Sequence, residues 1–140
     1  MTVFADSEFG ERARRRLREE QLAWLVTVGA DGTPQPNPVW FLWDGGDSAL
    51  VYNRSDAYRL RHIDARPDVA LHFQADQSGG DVVVLVGTAH LVPDQPSPHE
   101  NVGYLAKYAQ GMAAVCGSVE HFAEEYPIAV RIDIRRVRGF

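Results

Sequence analysis

Prolines alternate with other residues at Pro34, Pro36 and Pro38 and lead directly into Val39–Trp43, a strand-type run with three large aromatic side chains. Proline has no N–H to donate to a β-ladder. A strand of this composition therefore belongs at a sheet edge, at a bulge, or where a ligand replaces a strand partner. Asp31-Gly32, just before the prolines, is a strong signal for a β-hairpin. Together these features predict a β-rich fold in which one aromatic strand has an open side.

The chain has 140 residues, the length of a single domain (residues 1–140) with one hydrophobic core. Its formal net charge of −5 argues against nucleic acid as a partner, since such binding needs a basic surface. No apolar run approaches membrane-spanning length and the N-terminus has no apolar leader, so we expect no membrane partner and a cytoplasmic location. The histidines are scattered and Cys116 is the only cysteine, so no metal site is expected.

Hydrophobic periodicity predicts a mainly β, α+β domain. Six segments have strand-type patterns: residues 22–28, 33–43, 49–52, 69–74, 82–91 (with a bulge at Gly87) and 128–137. Helices are predicted near residues 7–21, at 57–65, and in pieces from an N-cap at Ser97 to about 126, broken near Gly111 and Gly117. Strands linked mostly by hairpins indicate an antiparallel barrel. A Rossmann fold is excluded, because no strand is followed by a G-x-G-x-x-G helix start.

The polar segment Asn53–Arg61 leads into the short second helix and presents two arginines. An arginine fork binds phosphate or carboxylate oxygens bidentately, so Arg59 and Arg61 are candidates for contact with an anion. The alternative is a solvated helix face, which applies more to Arg61 than to Arg59. Asn53 and Ser55 either donate hydrogen bonds to the same anion or cap the helix that follows.

The aromatic strand beside this cationic segment favours a ligand with a planar ring and a phosphate tail, such as a flavin or a deazaflavin. Alternatively, Trp40 and Phe41 are core and dimer-interface residues. No Ser/His/Asp or Cys/His arrangement stands out in the sequence, and His72 and Tyr52 are candidates for substrate contact. Hydride transfer can proceed through positioning alone, so no catalytic residue is assigned.

Several motifs occur in an order and spacing that resemble the pyridoxamine-phosphate-oxidase-like split β-barrel family, in particular its actinobacterial branch of flavin and deazaflavin oxidoreductases. The resemblance runs from Trp24 to the end of the chain. Its motifs are residues 27–34 (TVGADGTP), 38–41 (PVWF), 59–63 (RLRHI), 66–71 (RPDVAL), 87–91 (GTAHL) and 136–140 (RVRGF).

The resemblance implies a six-stranded antiparallel split barrel that forms a homodimer, with one cofactor per subunit in a groove between the barrels. The family's phosphate-binding lysine falls on Arg59, and a second basic position falls on Arg61. A further arginine of the family is replaced here by Ala57, so Arg54 or Tyr58 would have to compensate. The family's true oxidases have a longer C-terminal segment that clamps the substrate phosphate. This chain has no counterpart, so vitamin B6 oxidation is not expected.

We therefore expect an oxidoreductase that uses coenzyme F420 to transfer a hydride to a conjugated small-molecule acceptor. The alternatives are an FMN-dependent oxidoreductase of the same fold and a non-catalytic carrier of flavin, deazaflavin or haem. The residues expected to contact the cofactor are Asn37, Pro38, Val39, Trp40, Asn53, Arg54, Ser55, Tyr58, Arg59 and Arg61.

Overall fold

The computed structural model describes residues 3–140, which form one curled antiparallel sheet with four α-helices. The strands are β1 (Ala23–Val28), β2 (Pro34–Val39), β3 (Leu42–Trp43), β4 (Ser48–Asn53), β5 (Asp68–His72), β6 (Val83–Leu91) and β7 (Ile128–Gly139). The helices are α1 (Glu8–Glu19), α2 (Tyr58–Ala65), α3 (Val102–Cys116) and α4 (Val119–Glu125), with a 3₁₀ turn at Pro98–Glu100. The predicted split-barrel class is confirmed.

The sheet has seven strands in the order β2-β1-β5-β6-β7-β4-β3, so the predicted count of six is wrong. The predicted aromatic strand divides at Trp40-Phe41, and its two parts lie at opposite edges of the sheet. The division occurs because α3 satisfies the backbone of Phe41: its N–H donates to the Tyr108 hydroxyl (3.0 Å) and its carbonyl accepts from Lys107 Nζ (2.9 Å). Since only two residues join the edge strands, the sheet must curl to bring them together.

The proline-rich strand β2 lies at an edge of the sheet, which is one of the three positions that its prolines predicted. Its prolines are opposite Trp24, Val26 and Val28 of β1 in a regular antiparallel ladder. Because proline cannot donate, the ladder bonds must come from the residues between the prolines. The proline carbonyls then point away from β1. The open edge of β2 therefore offers hydrogen-bond acceptors and no N–H donors.

The helices α3 and α4 form an insert between β6 and β7, and their boundaries differ in part from the prediction. Helix α3 continues through Gly111, so the predicted break there is wrong; Gly117, with φ of 88°, does end the helix. The reason for Gly111 is close packing, since a Cβ there would lie 2.9 Å from Cη2 of Trp40. Ser97 is the N-cap residue of the 3₁₀ turn, as predicted, but its side chain makes no cap bond; α3 is capped by Asn101, which accepts from Tyr104 N–H (3.1 Å).

Two apolar clusters hold these layers together. The main core joins the sheet to α1 and includes Leu17, Phe41 and Leu85, each at most 1% exposed. The second lies where the insert packs on the sheet, and it is rich in tyrosine. The predicted bulge in β6 is present, as a register shift between Val86 and Gly87. Among residues 3–140, none of the helices has the length and hydropathy of a membrane-spanning segment.

Candidate functional site

Arg59, in the first turn of α2, lies between two cavities and lines both of them. Its Nε donates to Asn53 Oδ1, and its guanidinium forms no ion pair with any residue of the described range 3–140. Burial lowers the pKa of Arg59 below its ordinary value, an effect that nearby Tyr126 partly offsets. An arginine remains protonated despite such a shift. The site therefore contains a largely buried positive charge whose remaining N–H groups are free to bind an anion.

Asn53 fixes the direction of this guanidinium. Its side chain is fully buried, and its Nδ2 donates to the carbonyls of Val51 (2.9 Å) and Ile128 (3.0 Å). Both amide hydrogens are therefore used by the backbone of β4 and β7, which leaves the amide oxygen to face Arg59. In this arrangement, Asn53 orients the cation and has no N–H left to donate to a ligand.

The first cavity, which we call the aromatic cavity, has a volume of about 260 Å³. From the sheet it is lined by Pro38, Val39, Trp40 and Tyr52. From the helical insert it is lined by Tyr104, Val115, Phe122 and Tyr126. Arg59 is its one charged lining residue, so the cavity combines flat apolar walls with a single cation.

The walls of the aromatic cavity are held by ring contacts and hydrogen bonds. Trp40 stacks on Tyr108 (ring centroids 4.7 Å apart, planes 2° apart) and on Phe122 (5.3 Å, 12°). The Tyr52 hydroxyl donates to the carbonyl of Pro96 (2.6 Å). Burial raises the pKa of Tyr104 well above its ordinary value, so its phenol stays neutral. The cavity is thus a preformed, uncharged aromatic surface on the sides away from Arg59.

The second cavity, which we call the polar cavity, has a volume of about 370 Å³. It is lined by Thr27, Gln35 and Asn37 of the β1–β2 hairpin and by Ala57, Tyr58, Arg59 and His62 around the start of α2. A 2.9 Å hydrogen bond joins Thr27 Oγ1 to His62 Nδ1. This cavity presents amide and hydroxyl groups beside the Arg59 cation, a set that suits the oxygen atoms of an anionic ligand.

The structure brings six of the ten predicted contact residues to these two cavities: Asn37, Pro38, Val39, Trp40, Tyr58 and Arg59. Asn53 lies behind them, as described above. Arg54, Ser55 and Arg61 are exposed and line neither cavity.

The two exposed arginines contact other side chains. Arg54 pairs with Glu125 (2.7 Å) and Asp56 (3.2 Å), and Arg61 lies over the ring of Tyr58, with Cζ 5.7 Å from the ring centroid. The alternative that Asn53 or Ser55 caps α2 is wrong, because Ala57 is the N-cap and no side chain completes a cap bond.

Sequence reasoning missed the contribution of the helical insert. A signal was present: Tyr104, Tyr108 and Met112 recur at i+4 spacing and all three are buried on one face of α3. Of the two candidates for substrate contact, Tyr52 lines the aromatic cavity. His72 stacks on Trp24 (6.5 Å between centroids) and lines neither cavity.

Comparison with solved structures shows the same fold in proteins with different names. An F420 reductase is 21% identical to this chain and superposes with a TM-score of 0.67. The alignment covers 89% of this chain and 94% of the reductase. A conserved hypothetical protein from Mycobacterium tuberculosis is 19% identical with a TM-score of 0.71, and the alignment covers 99% of this chain and 86% of that protein. The haem storage protein HutZ from Vibrio cholerae is 16% identical with a TM-score of 0.61, and the alignment covers 99% of this chain and 95% of HutZ. At these identities the likeness concerns the fold alone.

Comparison of sequences gives a family. No curated protein matches the chain. The sequence model of the pyridoxamine 5'-phosphate oxidase family, however, matches residues 9–138, which is nearly the whole chain and includes every residue that lines the two cavities. The chain therefore belongs to the pyridoxamine 5'-phosphate oxidase family.

Proposed function

We propose that this protein is a coenzyme F420-dependent oxidoreductase that transfers a hydride to a conjugated small-molecule acceptor. The observation that carries the proposal is the unpaired, largely buried Arg59 at the junction of an aromatic and a polar cavity. A buried cation without a carboxylate partner costs free energy, so it is best explained by an anionic ligand that pairs with it.

The residues of the two cavities fit both ends of a flavin-type cofactor. A planar ring suits the aromatic cavity, where the carbonyl of Pro38 on the open β2 edge can accept a hydrogen bond from a ring N–H group. A phosphate suits Arg59, with Asn37 and Tyr58 near it in the polar cavity. Together the cavities are within the size range of ligand sites, about 300–1,000 Å³. When bound, a reduced deazaflavin supplies a hydride from a ring carbon.

The chain's own contribution to this reaction is positioning. The rings of Trp40, Tyr104 and Phe122 are fixed by contact with one another and need little rearrangement to receive a planar ligand. The same apolar walls exclude water from the ring face, which favours hydride transfer over side reactions. No side chain is assigned as an acid or base, so solvent supplies any proton.

The choice of F420 over FMN depends on the resemblance of the motifs to the deazaflavin branch, and the F420 reductase of the same fold supports it. FMN is the alternative cofactor because it shares the two features that the cavities recognise, a planar ring and a phosphate. A non-catalytic carrier is the alternative of another class, since a haem storage protein has this fold as well.

The test is a pair of measurements on the purified protein. Titration with F420 and with FMN, followed by fluorescence, should show tighter binding of F420. Steady oxidation of reduced F420 should then occur when a quinone or an electrophilic alkene is added. Binding of FMN alone would reverse the choice of cofactor. Binding of F420, FMN or haem with no turnover on a panel of such acceptors would favour the carrier.

A further inference from the structure

Lys107 is the only lysine among the 14 lysine and arginine residues of the chain. It lies on α3 and lines a third cavity of about 360 Å³, which shares no lining residue with the aromatic or polar cavity. Helix α1 contributes Leu17 and Arg18 to this cavity, and β3 contributes Leu42 and Trp43. We call it the lysine cavity.

The amine of Lys107 is held in a defined position. Its Nζ donates to the carbonyl of Phe41 (2.9 Å) and lies 3.7 Å from the centroid of the Phe41 ring. It forms no ion pair with any residue from 3 to 140. An arginine in its place would bind oxyanions equally well, whereas only a lysine can lose its proton near neutral pH and act as a nucleophile.

Burial of Lys107 shifts its protonation equilibrium toward the free amine. Burial lowers the pKa of Lys107 to about 8, although the charge of Glu20 acts in the opposite direction. Glu20 is itself paired with Arg16 (2.8 Å). The other charged residue that lines this cavity is Arg18; β3 provides only apolar side chains, and α3 provides Tyr108, whose phenol is kept neutral by burial. At pH 7.4 roughly a fifth of such amines are unprotonated, against about a thousandth of exposed lysines.

We propose that Lys107 forms an imine with an anionic aromatic aldehyde bound in the lysine cavity. The nitrogen lone pair attacks the carbonyl carbon to give a carbinolamine, which takes up a proton and loses water as the C=N bond forms. No oxidant or reductant is needed. Leu17, Leu42 and Trp43 offer apolar contact to the aromatic ring, and the Arg18 guanidinium, 5.7 Å from the centroid of the Trp43 ring, pairs with the anionic substituent.

The contacts of Lys107 Nζ with Phe41 favour reaction with an aldehyde over reaction with an acyl donor. A protonated imine keeps the positive charge and one N–H, so both the cation–π contact with the Phe41 ring and the hydrogen bond to the Phe41 carbonyl persist. An amide keeps the N–H but loses the charge, and with it the cation–π contact. The site is therefore suited to a reversible carbonyl adduct.

The probe for this site is 4-carboxybenzaldehyde, with sodium cyanoborohydride to trap the imine and peptide mapping to locate it. We expect one adduct on Lys107, formed at least about tenfold faster at pH 7.4 than on a blocked lysine amide, since the lower basicity of the amine offsets part of its larger free fraction. Mapping separates this adduct from one on the terminal amine. An adduct at the terminus only, or no rate advantage over the blocked amide, would overturn the proposal.

Two variants distinguish binding of the aldehyde in the lysine cavity from general reactivity of the Lys107 amine. Arg18→Gln should slow the reaction with 4-carboxybenzaldehyde several-fold and leave the reaction with uncharged benzaldehyde unchanged. Lys107→Arg should abolish the mapped adduct while keeping the charge over the Phe41 ring. Equal effects of Arg18→Gln on both aldehydes, or no effect on either, would refute the role of the cavity.

Discussion

At the scale of single residues, Arg59 differs from its neighbour Arg54 in having a neutral hydrogen-bond partner, Asn53, in place of carboxylates. We expect Arg59→Ala to weaken F420 binding at least tenfold, which corresponds to about 1.4 kcal/mol. Arg59→Lys should lose less affinity for F420, because lysine keeps the positive charge although it lacks the bidentate N–H groups of the guanidinium. Fluorescence titration of the three proteins measures the effect.

The chain provides a matched control on the same helix. Arg61→Ala removes an equal charge from an exposed position that lines neither cavity, so it should change F420 affinity less than twofold. If Arg61→Ala and Arg59→Ala weakened binding equally, the anion would be held by the general field of α2, and the assignment of Arg59 would be wrong.

Lys107 predicts a pH dependence of stability. Its pKa is about 8 in the folded chain against an ordinary value of 10.5, so between these pH values the unfolded chain binds more protons. The contribution of Lys107 to the free energy of unfolding therefore rises as the pH increases through this window. Burial raises the pKa of Tyr108 to about 12, which has the opposite effect above pH 10.

This dependence is measured by urea denaturation of the wild type and of Lys107→Met from pH 7 to pH 10. The difference in unfolding free energy, wild type minus variant, should be flat below pH 8 and should rise above it. A difference that is constant over the whole range would show that the amine is as well solvated in the folded chain as in the unfolded one.

At the scale of elements, the packing of α3 against Trp40 requires glycine at position 111. We expect Gly111→Ala to lower stability by roughly 1–2 kcal/mol, since overpacking outweighs the better helix propensity of alanine. Gly103→Ala on the same helix is the control. Its Cβ would meet the flexible end of the Leu42 side chain at 3.3 Å and Asn101 Oδ1 at an ordinary 3.7 Å, so the variant should be neutral or slightly stabilising. Thermal melts that rank the two variants in the opposite order would contradict this packing.

The elements that the sequence predicted well are those with a clear local signal. β6 and β7 have long apolar patterns, and Gly117 adopts the left-handed conformation that ends α3. The division of the aromatic strand was missed because it depends on hydrogen bonds from α3 to Phe41, 67 residues away in sequence. The same reason explains why only part of the aromatic cavity was predicted. Its lining residues on β2 and α2 belong to local sequence motifs, whereas those on the insert reach the cavity through tertiary packing.

At the scale of the whole molecule, the homodimer stays a prediction. The resemblance to the split-barrel family implies it, and the exposed β2 segment Pro34–Pro38 beside the polar cavity provides a surface that a second barrel could cover. Light scattering after gel filtration should give twice the 15.6 kDa mass of the chain. A monomer at micromolar concentration would refute a site that needs residues from two subunits.

The most direct test of the site is a crystal structure of the protein with F420. The ring should lie in the aromatic cavity against Trp40 and Phe122, with an anionic oxygen of the cofactor within hydrogen-bond distance of the Arg59 guanidinium. A ring bound elsewhere on the barrel, or a cofactor whose anionic groups leave Arg59 unpaired, would contradict the proposed function.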